Sequence, residues 1–228
     1  MKQKQRKGKM QMSKTAKAVL DVMRSWLGYS EANGKYRRII DLYNSVKPLP
    51  VGYAVKYTDE WCDACLSAAA IKAGCSDLIG RECGVGRHIE IFKKKGIWIE
   101  DGKRVPKPGW VIVYNWNDSS QPNNGGASHI GYVEKVSGGR ITAIEGNKHG
   151  MVARRVIPVG WGYIRGYAAP RYKSSTKSSA GKKESTATKV VREVIAGKWG
   201  NGKTRQKRLR KAGYDPTAIQ KEVNRLMK

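Results

Sequence analysis

The sequence predicts an α+β domain, followed by a linker and a small three-helix bundle. Apolar residues recur at helical spacing before residue 80, whereas short strand-like stretches separated by Gly-rich or Asn-rich turns begin near residue 110. Helices that precede an antiparallel meander are typical of the α+β class. Hydrophobic residues make up 39% of the 228 positions, enough for a packed core. No run of about 18 apolar residues is present, so no transmembrane helix is expected.

Three helices are predicted in the first domain. The first begins near Ser13, a candidate N-cap, the second covers residues 36–45, and the third begins near Cys62 and ends at Gly74. Four strands are predicted after them, at residues 110–116, 130–136, 141–145 and 151–159.

The positive charge is concentrated at the two ends of the chain. Of a formal net charge of +27, residues 1–11 contribute +5 and residues 173–228 contribute +12. We therefore expect a disordered basic head at 1–11, a catalytic domain at 12–172, a flexible linker at 173–186 and a helical module at 187–228. Such a charge balance favours a polyanionic partner, which can be nucleic acid, an anionic wall polymer or a membrane surface.

Cys62 is the candidate nucleophile. A thiol in the first turn of a helix faces the positive end of the helix dipole, which is expected to lower its pKa. Trp61 beside it is predicted to shield the site and to contact substrate. A reactive thiol also needs a base, and of the three histidines only His129 opens a strand, whereas His88 and His149 lie in a charged helix and a Gly-flanked loop.

Glu145 and Asn147 are the candidates for orienting that imidazole. Residues two apart on a strand share a face, so both side chains can point toward one neighbour. A two-residue turn at 138–139 without any irregularity would place His129 on the opposite face. The catalytic hypothesis therefore requires a β-bulge or a loop of odd length in this hairpin.

The four cysteines leave two other interpretations open. Their spacing does not match a zinc ribbon, and the three besides Cys62 are expected to be small core residues. The pattern Trp-Cys-x-x-Cys at 61–65 is also found in thioredoxin-like oxidoreductases. The net charge suggests a cationic nucleic-acid-binding protein as a second alternative, although no nucleic-acid-binding motif is present.

Four motifs of this chain resemble those of CHAP domains, the cysteine-dependent amidohydrolases and peptidases of the papain-like NlpC/P60 superfamily. They are WCDA at 61–64, PGWVIVY at 108–114, SHIGYV at 128–133 and IEGN at 144–147. The resemblance implies a papain-like fold over about residues 13–172, with Cys62 as nucleophile and His129 as general base. Glu145 and Asn147 would orient the imidazole.

Residues 187–228 resemble the CW-type cell-wall-binding repeat of phage lysins. The matching segments include VIAGKWGNG at 194–202 and AGYD at 212–215. The resemblance implies a three-helix bundle that binds muropeptide, with Arg205 and Tyr214 as ligand contacts and Trp199 as platform or core.

Together the two resemblances imply a phage endolysin that cleaves an amide bond in the peptide stem of peptidoglycan, as an N-acetylmuramoyl-L-alanine amidase or an endopeptidase. The expected partners are the muropeptides of a Gram-positive host, with anionic wall polymers in addition and no specific nucleic acid. No cofactor or metal is expected, because the loop at 117–126 lacks the set of carboxylates that calcium needs. The first residues contain no apolar leader. The resemblance to phage endolysins implies synthesis in the host cytoplasm and release through a holin, and the missing leader fits this expectation.

Overall fold

The structure, a computed structural model, describes residues 14–173 and 186–226. The chain divides into two compact units, residues 1–175 and residues 176–228, and each is described by itself. The predicted basic head, the candidate cap Ser13 and residues 174–185 of the predicted linker lie outside the described residues.

The described part of the first unit begins with five α-helices, with a short 3₁₀ helix (Pro50–Gly52) between the second and the third. The α-helices are α1 (Ala16–Ser25), α2 (Arg37–Ser45), α3 (Cys62–Lys72), α4 (Ser76–Ile79) and α5 (Val85–Lys94). The N-cap of α1 is Thr15 rather than Ser13, since the Thr15 hydroxyl accepts a hydrogen bond from the backbone N–H of Ala18 at 3.2 Å.

A six-stranded sheet follows the helices. Its strands are β1 (Trp98–Ile99), β2 (Val111–Tyr114), β3 (His129–Ser137), β4 (Arg140–Glu145), β5 (Ala153–Pro158) and β6 (Ile164–Ala168). The order across the sheet is β1-β6-β2-β3-β4-β5, and every pair is antiparallel. The predicted α+β class is confirmed, whereas β1 and β6 were not predicted.

Helix α3 is the central helix of the first unit and is buried on almost all sides. Its run of small residues allows α1, α2 and the sheet to approach closely, and nine of its eleven residues are buried. The hydroxyl of Tyr132 on β3 donates to the carbonyl of Leu66 on α3 at 3.1 Å. One face of the sheet therefore packs on α3, while the other face has its own apolar cluster around Tyr114, Val133 and Tyr167.

The hairpin of β3 and β4 contains a β-bulge. Its turn has two residues, so Ser137 pairs with Arg140, but the register changes by one between Val133 and Lys135. Glu134 is the extra residue. Its carboxylate accepts from the guanidinium of Arg154 at 2.6 and 3.0 Å and from Arg24 at 2.8 Å.

The second unit is a bundle of three helices, α6 (Thr186–Ile195), α7 (Gly202–Lys211) and α8 (Pro216–Leu226). Its core consists of six buried aliphatic side chains, with two aromatic side chains packed against them. These are Val190, Val191, Val194, Leu209, Ile219 and Val223, with Trp199 and Tyr214. The predicted bundle is confirmed.

Over residues 14–173 and 186–226, none of the helices combines the length and the apolar character that a bilayer crossing requires.

Candidate functional site

Cys62 is the first residue of α3, as predicted, and its side chain is almost completely buried, with 7% of the residue exposed. Burial raises the pKa of this thiol to about 12, and the charges of Asp63 and Glu60 add to the increase. Backbone N–H groups at the helix start act in the opposite direction but do not outweigh burial. The expected lowering of the thiol pKa is therefore wrong for this state of the protein.

His129 and Glu145 lie side by side on the sheet. His129 begins β3 and Glu145 ends β4, and Nε2 of the imidazole is 3.0 Å from Oε2 of the carboxylate. The bulge at Glu134 creates this arrangement, because beyond it Tyr132 pairs with Ile144 instead of Glu145. The two functional side chains then point to the same face, and the bulge predicted from the hairpin arithmetic is confirmed.

Two further residues hold the Glu145 carboxylate. The hydroxyl of Tyr114 donates to Oε1 at 2.7 Å, and Nε of Arg155 donates to both oxygens at 2.9 and 3.0 Å. Burial alone would raise the pKa of Glu145. The hydrogen bond and charge of His129, the charge of Arg155 and the hydrogen bond of Tyr114 together outweigh burial. They lower the pKa of Glu145 below its ordinary value. Glu145 therefore remains an acceptor for the imidazole.

Two glycines of the predicted motifs are required by close approach. A Cβ at Gly131 would lie 2.7 Å from Cγ of Glu145, so glycine makes room for the carboxylate beside His129. A Cβ at Gly146 would lie 2.4 Å from Cβ of Cys65 and 3.2 Å from the ring of Trp61. The first turn of α3 therefore lies directly against the residue that follows β4.

Asn147 does not contact the imidazole, which corrects the prediction for its role. Its backbone has a φ of 55°, and its side-chain amide donates a hydrogen bond to the carboxylate of Glu60. Asn147 thus connects the end of β4 to the segment that leads into Cys62.

Cys62 and His129 reach the same end of the sheet from different sides. Ile130 and Tyr132 contribute to the core that contains α3, so His129 points to the other face by strand alternation. The described part of the chain offers no hydrogen-bond partner to Nδ1 of His129. The start of α3 and the residue after β4 are in close contact at Gly146, but no hydrogen bond joins the thiol to the imidazole among the described residues.

Trp61 is fully buried, so the predicted contact with substrate is wrong. Its indole N–H donates to the Glu31 carboxylate at 2.9 Å, and its ring packs against Tyr36 with centroids 5.6 Å apart. The residue closes the core behind the start of α3.

The other cysteines behave as core residues. All four thiols are free, Cys65 and Cys75 have no exposed surface, and burial raises the pKa of both. The described strands form no parallel pair, so the βαβ arrangement of a thioredoxin-like enzyme is not found. No group of three or more His, Cys, Asp or Glu side chains within the described ranges has the arrangement to hold a metal ion.

In the second unit, Arg205 lines a cavity of about 280 Å³ between α7 and α8 and donates to Gln220 at 2.9 Å. Tyr214 and Trp199 are half-buried and pack edge to face, with centroids 6.1 Å apart, and the Trp199 indole donates to Glu193. Arg205 thus lines this cavity, whereas the two aromatic residues are part of the bundle core.

Comparison with known proteins finds a family match in each of the two units. Residues 51–147 match the CHAP domain family, and residues 188–227 match the CW_7 repeat. The lysozyme of Streptococcus phage Cp-7 is 55% identical over 39 residues, which is 17% of this chain and 11% of that protein. The chain thus spans about a tenth of that relative.

Two solved structures of Ly7917, one with the hydrolyzing product of MDP, superpose with a TM-score of 0.35 at 17% identity. The superposition covers 68% of this chain and 63% or 62% of those chains. This protein is therefore similar to CHAP domains over residues 51–147 and to the CW_7 repeat over residues 188–227.

Proposed function

We propose that the protein is a peptidoglycan hydrolase of the phage endolysin type, which cleaves an amide bond by cysteine–histidine catalysis. The observation that carries the proposal is the pair of His129 and Glu145 at the end of the sheet where α3 begins with Cys62. All three residues lie inside the segment that matches the CHAP family. The pair leaves Nδ1 of the imidazole available for the thiol proton.

In the proposed reaction, His129 accepts the proton of the Cys62 thiol at Nδ1 as the substrate amide arrives. The thiolate attacks the amide carbonyl, and His129 returns the proton to the leaving amine. Water then hydrolyses the thioester, with His129 again as the base. Backbone N–H groups at the start of α3 are suitable donors for the oxyanion.

The buried environment of the thiol explains why this mechanism needs a partner for the proton. A thiol whose pKa is raised to about 12 is almost entirely protonated at neutral pH. Formation of an imidazolium stabilised by Glu145 offsets the cost of a buried thiolate, because the two opposite charges form together. Glu145 acts here through His129 and is therefore a positioning residue.

The second unit is proposed to hold the enzyme on its polymeric substrate. A tethered binding module raises the effective concentration of enzyme at the wall, and the basic chain favours anionic wall polymers. Muropeptide is the proposed ligand of the cavity beside Arg205. Release from the host cytoplasm through a holin stays a prediction.

Substitution of the nucleophile tests the proposal. Cys62→Ala is expected to fold normally and to lose turbidity clearing of Gram-positive cells by about 10³-fold or more, since the covalent step is removed. Clearing assays and far-UV circular dichroism measure the two properties. Cys65→Ala is the matched control, because it removes a thiol one helical turn away and should keep activity.

The opposite pattern would contradict the mechanism. A Cys62→Ala protein that clears cells at the normal rate excludes thiol catalysis. Loss of activity in both Cys62→Ala and Cys65→Ala would instead favour the redox alternative, because a Trp-Cys-x-x-Cys enzyme needs both thiols.

A further inference from the structure

Three aromatic side chains form a cluster on the sheet face that carries His129. Trp116 follows β2, and Trp161 and Tyr163 lie between β5 and β6. Their ring centroids are 5.9 Å apart for the two tryptophans, 6.2 Å for Trp116 and Tyr163, and 4.8 Å for Trp161 and Tyr163. We call these three residues the aromatic platform. All three are half-buried, so each keeps part of its ring at the surface.

The polar ends of the aromatic platform make no hydrogen bond to the described residues. In the part of the chain that the structure describes, the indole N–H groups of Trp116 and Trp161 and the hydroxyl of Tyr163 have no hydrogen-bond partner. None of these three polar groups is buried, so all of them face solvent. Partly exposed rings with free donors at their edges are suited to a ligand with an apolar face and polar rim.

The aromatic platform is continuous with the proposed catalytic pair. The rings of Trp116 and His129 have centroids 5.8 Å apart. The guanidinium of Arg155 lies 4.9 Å from the centroid of Trp116 while its Nε holds Glu145. The terminal nitrogens of Arg155 have no hydrogen-bond partner among the described residues, so this side chain can also donate to a ligand.

We infer that the aromatic platform binds the pyranose ring of an amino sugar in the glycan strand, and this inference rests on the proposed peptidoglycan hydrolase function. A pyranose presents C–H groups on its faces and hydroxyl and acetamido groups around its rim. The rings of the aromatic platform match the faces, and the free indole, phenol and guanidinium donors match the rim oxygens.

The position of the aromatic platform also selects the bond that is cleaved. The distance from Trp116 to His129 is comparable to the width of one sugar ring, so a sugar on the aromatic platform places its own substituents at the imidazole. The amide directly attached to the sugar through the lactyl group is the N-acetylmuramoyl-L-alanine bond. The inference therefore assigns an amidase rather than a cross-bridge endopeptidase.

The test compares Trp161→Ala with Trp98→Ala in the full chain. Trp98 is also half-buried, but it lies on β1 and donates its indole hydrogen bond to Glu100. The substrates are a soluble disaccharide-peptide and the same stem peptide without sugar. Trp161→Ala is expected to raise KM for the disaccharide-peptide about tenfold with kcat little changed, because ring stacking is lost without a change in the reacting groups.

The control and the products complete the test. Trp98→Ala should leave KM unchanged, and the sugar-free peptide should be a poor substrate for every variant. Mass spectrometry of wall digests by the unmodified protein should show peptides with a free L-alanine amino terminus and glycan without peptide.

The outcomes separate this inference from the proposed function. If the protein digests walls but cuts within the stem or cross-bridge, or if Trp161→Ala keeps the normal KM, the aromatic platform is not a sugar site and the hydrolase proposal stands. If the protein releases no fragment from walls, or Cys62→Ala releases as much as the unmodified protein, the hydrolase proposal itself fails and this inference with it.

Discussion

His88 and Asp63 form a polar pair that has no contact with solvent. Both residues are 0% exposed, Nδ1 of His88 is 2.6 Å from Oδ1 of Asp63, and the other carboxylate oxygen has no partner. The imidazole also stacks on Phe92, with centroids 4.4 Å apart. Since Asp63 follows Cys62, this pair connects α5 to the first turn of the helix that carries the thiol.

Removal of His88 is expected to destabilise the protein strongly. His88→Ala leaves the Asp63 carboxyl group buried without its partner and creates a cavity beside Phe92, which together should cost about 3–5 kcal/mol of unfolding free energy. Urea unfolding followed by tryptophan fluorescence measures the loss. His149→Asn, at an exposed histidine, should change the free energy by less than about 0.5 kcal/mol. Equal stability of the two variants would show that the buried pair contributes little.

At the residue scale, the sequence pattern identified two of the side chains that the structure brings together. His129 and Glu145 follow from the hairpin pattern, since alternation and register are local properties. Tyr114 and Arg155 were missed, because their contacts with Glu145 depend on which strands become neighbours. The direction of the thiol pKa was wrong for a related reason: burial of Cys62 depends on the packing of α3 and is not encoded in the helix start.

At the element scale, the β3–β4 hairpin shows how far such reasoning extends. Counting residues across the turn predicted that an irregularity must exist, but not that Glu134 is the extra residue. Its position depends on Arg24 and Arg154, which come from α1 and β5. Strand β6 was not predicted, since it is inserted between β1 and β2 far away in sequence.

Glu134 gives this hairpin a defined pH dependence. The hydrogen bond from Arg154 lowers the pKa of Glu134 to about 2, with Arg24 adding to the effect against burial. A carboxyl group whose pKa is lowered by folding stabilises the fold at pH values above its pKa in the unfolded chain. This contribution is lost as the pH falls toward the pKa in the folded protein. Glu134→Gln should therefore cost about 2 kcal/mol at pH 7, and the difference should shrink between about pH 4.5 and 2.

Thermal unfolding of both proteins over this pH range measures the difference. Glu90→Gln is a suitable control, because Glu90 is exposed on α5 and its ion-pair partner among the described residues is Lys93 at the surface. A gap in Tm between the unmodified protein and Glu134→Gln that stays constant down to pH 2 would contradict the assignment.

At the scale of the whole molecule, the chain combines a unit with the proposed chemistry and a unit with the proposed wall affinity. The division into two compact units and the strong net charge both suggest that binding and catalysis can be altered separately. In this proposal, the positive charge attracts the protein to anionic wall polymers, and that attraction weakens as the salt concentration rises. The cavity at Arg205 binds muropeptide through its shape and specific contacts.

Arg205→Ala tests this separation. The variant should bind purified Gram-positive walls about tenfold more weakly, because a charge-assisted contact in the cavity is lost, and should cleave a short soluble disaccharide-peptide at the normal rate. Wall pull-down at several salt concentrations and a kinetic assay measure the two properties. Lys211→Ala removes the same charge from α7 outside the cavity. If it weakens binding equally, charge alone accounts for the affinity.

The bulge at Glu134 also restricts how this protein can be recombined with others. The bulge shifts by one residue which side chains of β3 point to each face of the sheet, so the pattern before Glu134 is opposite to the pattern after it. A hairpin taken from a relative without this bulge would therefore place its side chains on the wrong face of the sheet. A chimera must transfer Glu134 together with the arginines on α1 and β5 that hold it. Crossover points chosen inside β3 should therefore give inactive hybrids, even where both parents fold well.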